Sequence, residues 1–311
     1  MKYFLFLLYY LLFNIYFQLV WERNNVNMST YLIAGGDLRN IHIANLLTEK
    51  NEVLTIGFDN TEQFKNEIQA YQNLSQIQKE IDYLVLPLPV TVDNVTLNTP
   101  LFCGKLLLDD ILNIRAKTIF GGMLNDKVKL LCEHKNIYIE DYFKREELAI
   151  YNAIPTAEGA LQIAMEELPT TIFGTKCFIT GYGRVAKVLS KLLSALGADV
   201  TVAARKHSDL AWADMNGAMT IHIDKIKEYI NDFSLIINTI PAKIFNRDIL
   251  SSVNKDVLII DLASKPGGVE FEDAKKLNLK VIWALSLPGK VAPYTSGKII
   301  FNTINNIIDE M

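Results

Sequence analysis

The stretch Lys176-Cys177-Phe178-Ile179-Thr180-Gly181-Tyr182-Gly183-Arg184-Val185-Ala186 decides the fold. A short apolar run enters two spaced glycines and continues into an amphipathic segment over 184–196, which is the order strand, tight turn, helix. Gly181 permits the turn, Gly183 lets the backbone approach a pyrophosphate, and Ala186 allows close packing of helix on strand. Free N–H groups at the start of such a helix face phosphates. A lone GxGxxA run arises often by chance. The strand-turn-helix setting makes this one a dinucleotide site, with Gly181, Tyr182, Gly183, Arg184 and Val185 as cofactor-binding candidates.

Working outward, Asp199–Ala204, Leu235–Thr239, Val257–Leu262 and Lys280–Ala284 read as further strands beside Thr175–Gly181, with helices near 184–196, 223–231 and 270–277. The first half follows the same plan. Tyr31–Ala34, Val53–Gly57, Tyr83–Pro87, Thr118–Phe120 and Asn136–Ile139 read as strands, and Ile41–Glu49, Thr61–Gln72, Gly104–Asn113 and Asp126–Glu133 as helices. Alternation of this kind implies parallel strands covered by helices and buried on both faces. The fold class is therefore α/β, with two Rossmann-like, doubly wound parallel-sheet domains and a cleft between them. A substrate domain over 28–150 precedes a linking helix over 151–168, in which Pro155 and Thr156 supply the start and Glu158 the first turn. A cofactor domain follows over 169–290. A last helix, about Thr295–Asp309 within a 291–311 segment, is expected to pack back on the first domain.

Composition bounds the function. Of 311 residues 50% are hydrophobic and 21% charged, with a net charge of −4, so disorder, collagen and a broadly basic nucleic-acid surface are poor fits. The three cysteines, Cys103, Cys132 and Cys177, have no CxxC spacing, which points to a reducing compartment and to neither a disulfide framework nor a zinc site. Cys132-Glu133-His134 lacks a second ligand pair, so no metal is expected.

The first 21 residues, Met1 to Trp21, are apolar or aromatic apart from Lys2, Asn14 and Gln18. A run of about 20 such residues can span a bilayer as one helix. No small-residue cleavage site precedes Trp21-Glu22-Arg23, which disfavours a removed signal peptide. Two readings compete: residues 1–27 come from an upstream in-frame start, or they anchor the chain to a membrane. Met28-Ser-Thr-Tyr-Leu-Ile-Ala-Gly-Gly-Asp37 begins as Rossmann-like domains begin, and this favours the first reading and a cytoplasmic protein.

The end of the second cofactor-domain strand separates the nicotinamide cofactors. A carboxylate there would hold a ribose 2′-hydroxyl; instead the strand runs into Arg205-Lys206-His207-Ser208. Arg205, helped by Lys206 or Ser208, suits a 2′-phosphate, because guanidinium binds it bidentately and stays charged. This points to NADP rather than NAD; the alternative is a solvated basic turn. Three further strand ends carry Asn238-Thr239-Ile240-Pro241, Asp261-Leu-Ala263-Ser264-Lys-Pro-Gly-Gly268 and Leu287-Pro-Gly-Lys290-Val-Ala-Pro-Tyr-Thr295-Ser-Gly297. Ligands in open α/β sheets bind outside the carboxyl ends of strands, so these loops should line the nicotinamide and substrate cleft.

In the first domain Ala34-Gly35-Gly36-Asp37-Leu-Arg39 occupies the corresponding turn. Its N–H groups and Arg39 suit a carboxylate. The alternative is an Asp37 helix cap with a surface Arg39. Hydroxy-acid oxidation calls for a positioned acid/base, usually histidine. The histidines are His42, His134, His207 and His222, with none near the late loops, which argues against the simplest hydroxy-acid chemistry. No catalytic residue is assigned.

Taken together, Gly35-Gly36-Asp37-x-Arg39, Asn152-Ala-Ile-Pro155-Thr156-Ala-Glu158-Gly159-Ala160, Ile237-Asn-Thr-Ile-Pro241, Asp261-Leu-Ala-Ser-Lys-Pro-Gly-Gly268 and Leu287-Pro-Gly-Lys-Val-Ala-Pro-Tyr-Thr-Ser-Gly297 resemble the A-subunit of dipicolinate synthase over residues 29–311. The resemblance implies a sporulation enzyme of the mother-cell cytoplasm that oxidises a cyclic dihydro or hydroxytetrahydro dicarboxylate to pyridine-2,6-dicarboxylate with NADP, beside a flavoprotein-like B-subunit. Cofactor contacts are then expected from Arg205, Lys206, Ser208, Asn238, Thr239, Ile240, Pro241, Asp261 and Ala263. Gly36, Asp37, Arg39, Thr156, Ser264, Lys290 and Thr295 are the candidates for the substrate carboxylates. A homo-oligomer is expected. The rival readings are another NAD(P)-linked amino- or hydroxy-acid dehydrogenase of this architecture, and a non-catalytic nucleotide-binding protein that orders a partner.

Overall fold

A computed structural model describes residues 28–311, so the anchor and late-start readings of 1–27 lie outside the described residues. Among the described residues no helix is long and apolar enough to cross a membrane. The chain divides into two compact units, one ending at Asp141 and one spanning Tyr142–Met311.

The first unit holds β1 (Thr30–Ala34), α1 (Leu38–Leu47), β2 (Glu52–Ile56), β3 (Gln69–Tyr71), β4 (Ile81–Val85), α2 (Leu108–Leu112), β5 (Ala116–Gly121), α3 (Asp126–His134) and β6 (Ile139–Asp141). The second holds α4 (Glu146–Glu167), β7 (Lys176–Thr180), α5 (Arg184–Ala195), β8 (Asp199–Ala204), α6 (His207–Met215), β9 (Met219–His222), α7 (Ile226–Tyr229), β10 (Leu235–Asn238), α8 (Arg247–Leu250), β11 (Leu258–Asp261), α9 (Phe271–Lys276), β12 (Lys280–Trp283), α10 (Leu287–Val291) and α11 (Pro293–Glu310).

Each unit is built on one six-stranded sheet, ordered β3-β2-β1-β4-β5-β6 in the first and β12-β11-β10-β7-β8-β9 in the second. All these pairings are parallel. Counted from its own first strand, each sheet has the doubly wound order 3-2-1-4-5-6, so the α/β Rossmann-like expectation holds for both. Consecutive residues such as Leu32 and Ile33, or Phe178 and Ile179, are fully buried. Neighbours along a strand point to opposite faces, so both faces of each sheet are covered. Burying a side chain of this size stabilises the fold by about 1.5–3 kcal/mol.

Several local expectations change. Thr61–Gln72 is not a helix: Asn60 Oδ1 accepts from Glu62 N at 2.9 Å, and the Asn45 side chain bridges Gln63 O (2.8 Å) and Lys65 N (2.9 Å). Side chains thus take the backbone groups that a helical ladder needs. Its apolar Phe64 packs edge-on against Phe58, and its end forms β3. The segment 104–113 is helical only as α2. The strand expected at Asn136–Ile139 is β6, starting at Ile139, and β9 and α6 are additions.

The long helix α4 begins at Glu146, and Pro155 lies inside it rather than at its start. Glu146 and Glu147 place negative charge on its first turn, which the helix dipole favours. It lies within the second unit. There it packs against α5, α10 and α11. At Gly159 a Cβ would sit 3.1 Å from Leu287 Cβ, so the glycine lets α10 approach closely.

Candidate functional site

The switch point of the second sheet lies between β7 and β10, where successive crossovers leave in opposite directions and open a crevice at the carboxyl ends. Gly181 closes the turn there, with φ +87° and its N–H bonded to Ala203 O at 2.8 Å. A Cβ on it would stand 2.6 Å from Thr239 Oγ1, so β10's end also demands glycine. Gly183 differs. It precedes α5 with φ −81°, and a Cβ added to it meets no protein atom within 4 Å. The protein itself therefore gives no packing reason for glycine at 183. Open space before the N-terminus of a twelve-residue helix is the cradle a pyrophosphate fits.

The neighbouring side chains face elsewhere. The Tyr182 ring is buried in the core cluster that contains Ala186 and Leu189, with Lys187 Nζ 5.8 Å above it. Arg184 Nη1 bonds Glu146 Oε2 at 2.6 Å in an exposed pair. Val185 is half-buried. A groove of about 520 Å³ lined by Tyr182, Lys187, Lys191 and Trp212 takes in only Tyr182 of the expected cofactor residues.

Asn238 and Asp261, expected as cofactor contacts, are fully buried and bonded to each other. Asn238 Nδ2 donates to Asp261 Oδ1 (2.7 Å) and to Ile240 O (3.0 Å), and Asn238 Oδ1 accepts from Thr180 Oγ1 (2.6 Å) and Ile240 N (3.2 Å). Asp261 also accepts from Ala263 N at 3.1 Å and Gly268 N at 2.8 Å. All four hydrogen-bonding positions of the Asn238 amide are filled, which fixes its orientation. The chain Thr180–Asn238–Asp261 thus latches three strand ends and holds the loops after β10 and β11 as one rim. Gly268 makes the closure possible, because a Cβ there would overlap the Asn238 amide. Thr239 donates to Thr180 O at 2.7 Å and stays half-buried beside Ile240, while Pro241 and Ser264 are exposed and Ala263 is buried.

Beyond β8, Arg205, Lys206 and Ser208 are all exposed, and among the described residues neither cation forms a salt bridge. The register pairs Ala204 with His222 of β9, a residue the motif reading left out. Gly181–Val185, Arg205–Ser208, Asn238–Pro241 and Asp261–Ser264 follow adjacent parallel strands, so the fold gathers these four stretches on one sheet edge.

In the first unit, Gly36 and Asp37 follow β1. Asp37 caps α1 by accepting from Arg39 N at 3.0 Å. Arg39 is buried rather than at the surface: its Nη2 reaches Asp37 Oδ2 (2.8 Å) and Leu88 O (2.7 Å), tying the β1 turn to the loop after β4. That guanidinium acts as a clamp on the turn. Of the remaining expected substrate residues, Thr156 lies in the interior of α4, its hydroxyl donating to Asn152 O at 2.6 Å. Lys290 is exposed in the last turn of α10. Thr295, in the first turn of α11, lines a groove of about 360 Å³ with Glu147, Tyr151 and Lys298.

Comparison with known proteins finds a match in each unit. Residues 30–143 match the family model of the N-terminal domain of the dipicolinate synthase A-subunit, and residues 170–271 match a putative NAD(P)-binding model. The dipicolinate synthase A-subunit of Bacillus subtilis (strain 168) is 34% identical over 285 residues, 90% of this chain and 95% of that one. The crystal structure of the dipicolinate synthase A-subunit from Bacillus halodurans superposes with a TM-score of 0.84 at 29% identity, covering 90% of this chain and 97% of that one. The crystal structure of its Bacillus subtilis counterpart gives 0.83 at 33% identity, covering 92% and 97%. A transhydrogenase from Sinorhizobium meliloti, 13% identical over 91% and 94% of the two chains, shares the fold alone with a TM-score of 0.69. With a relative this similar along nearly its whole length, and a dinucleotide turn built as described, the chain belongs to the family of dipicolinate synthase A-subunits.

Proposed function

We propose that this protein is an NADP-dependent dehydrogenase that oxidises dihydrodipicolinate, or its hydroxytetrahydro precursor after loss of water, to dipicolinate in the mother-cell cytoplasm of a sporulating bacterium. The observation that carries this reading is the carboxyl edge of the second sheet. An open glycine cradle at Gly183, a basic strand end at Arg205 and a latched rim over 238–241 and 263–268 follow adjacent strands there. Bound at that edge, an oxidised nicotinamide supplies the hydride acceptor. The substrate ring loses one hydride and one proton and becomes aromatic, so the step is downhill with little acid/base help.

The backbone of Gly181–Val185 receives the pyrophosphate, and Arg205, Lys206 and Ser208 receive the 2′-phosphate. Thr239, Ile240, Pro241 and Ala263 shape the nicotinamide floor, which Asn238 and Asp261 hold in place. In the second unit exposed Lys290, Ser264 and Thr295 are the groups for substrate carboxylates; in the first, the clamped Gly36–Asp37 turn offers backbone N–H groups suited to a carboxylate. A flavoprotein-like B-subunit of the synthase is the partner, and the chain assembles as a homo-oligomer.

Purified protein with NADP and dihydrodipicolinate, with and without the B-subunit, tests the reading through the ultraviolet absorbance of dipicolinate. Formation of dipicolinate with stoichiometric NADPH, abolished by Gly183→Asp, is expected. Turnover that needs the B-subunit and survives Gly183→Asp would assign the chemistry to the partner.

A further inference from the structure

Two imidazoles stand at the basic end of β8 that a glycine fingerprint does not require. His207 opens α6, and His222 ends β9 in register with Ala204. Their ring centroids are 5.7 Å apart at an interplanar angle of 33°. His222 Nε2 lies 3.1 Å from the carbonyl oxygen of Arg205, the residue that suits a 2′-phosphate. A carbonyl only accepts, so Nε2 carries the proton and donates, which leaves Nδ1 as the nitrogen with a free lone pair. Nδ1 has a partner for each state. It accepts from Asp224 N at 3.4 Å when neutral, and Asp224 Oδ2 stands 3.3 Å away to receive its proton when charged.

We propose that His222 and His207 are specificity-determining residues for the 2′-phosphate, and that NADP, unlike NAD, binds with uptake of protons by this pair. The proposal rests on the NADP reading above. Imidazole is the side chain whose charge ordinarily changes between about pH 5 and 8. The charged groups on the elements around the pair are Arg205 and Lys206 between β8 and α6, Asp209 in the first turn of α6, and Asp224 and Lys225 after β9. A phosphate dianion beside Arg205 favours an added proton on the pair, and the Asp224 carboxylate, 3.3 Å from Nδ1, is in place to hold it on His222. Anchoring the Arg205 carbonyl also fixes the backbone from which that guanidinium reaches the ligand, so His222 acts as a positioning residue in both charge states.

Calorimetric titration of the full chain with NADP and with NAD, at pH 7.5 in buffers of different ionisation enthalpy, counts the protons taken up. The 2′-phosphate itself titrates near pH 6, so the decisive quantity is the difference between wild type and His207→Gln/His222→Asn. Wild type should take up a measurable fraction of a proton more with NADP than with NAD, and its NADP:NAD affinity ratio should rise severalfold from pH 8 to pH 6.5. The double variant should lose both effects, with NAD affinity as the folding control; His207→Gln alone should lose part of them. Preference for NADP with equal proton counts in wild type and variant would overturn this inference and leave the cofactor reading intact. Equal affinity of wild type for NAD and NADP would overturn both.

Discussion

Gly181 and Gly183 are two residues apart and are needed for different reasons. Gly181 sits at φ +87° with its missing Cβ aimed at Thr239, so Gly181→Ala strains the folded chain and should lower the midpoint of thermal unfolding whether or not cofactor is present. At Gly183 an added Cβ meets nothing in the protein. Gly183→Val should therefore leave thermal unfolding of the free protein nearly unchanged and weaken dinucleotide binding at least about tenfold, a split read by paired melting and fluorescence titration. Asp261→Asn replaces an acceptor with a donor facing Asn238, Ala263 or Gly268, leaving a buried N–H without a partner. It should cost about 1–3 kcal/mol in urea denaturation. The sequence marked all these positions through the glycine spacing and the strand ends. It did not show the protein partners of Asn238, Asp261 and Arg39, because a one-dimensional pattern says where a strand stops, not which neighbouring strand's polar group it meets there. His222 escaped for the same reason: only the β8–β9 register brings it to Arg205.

At the scale of elements, buried parallel strands were the most legible, since unbroken apolar runs such as Leu235–Ile237 have no other place to go. Edge strands β3 and β9 were not: they are short, partly exposed and carry polar residues. Pro155 misled on the start of α4, because proline is usual in a first turn and this one is interior. What fixes the true start is a contact remote in sequence. Arg145, just before α4, donates to both oxygens of Glu310 at the end of α11, each at 2.7 Å, and to Glu147 at 2.8 Å. Hydrogen bonds from Arg145 hold the carboxyls of Glu147 and Glu310 below their ordinary range. A lowered carboxyl contributes stability above its ordinary range and loses it as pH falls through the lowered value. Glu310→Gln should therefore melt below wild type at pH 7, less so in high salt, and the gap should close as pH falls through the lowered value, a comparison for differential scanning calorimetry across pH.

For the molecule as a whole, the cysteines mark its two cores separately. Cys132 is buried in the core of the first unit and Cys177 in that of the second, where burial pushes the Cys177 thiol up to about 12. Cys103 is exposed, yet a hydrogen bond to Asp59 pushes its thiol above the ordinary range as well. Alkylation of the native protein at pH 8 should modify Cys103, more slowly than a free thiol, and spare the other two. With rising denaturant, Cys132 and Cys177 should each become labelled as its own unit opens, and peptide mass spectrometry would resolve the two rates.

Both sheets also share an order along the chain. Each takes all six strands from one unbroken stretch, the first sheet closing with Asp141 and the second opening only at Lys176. A ribosome adding about 5–20 residues per second thus delivers every strand of the first sheet seconds before the first strand of the second exists. Two sheets of identical strand order, each rich in interchangeable valine, leucine and isoleucine, could exchange strands if they were made together. Order of synthesis separates them, because a first sheet already folded offers the emerging second one only its edge strands β3 and β6.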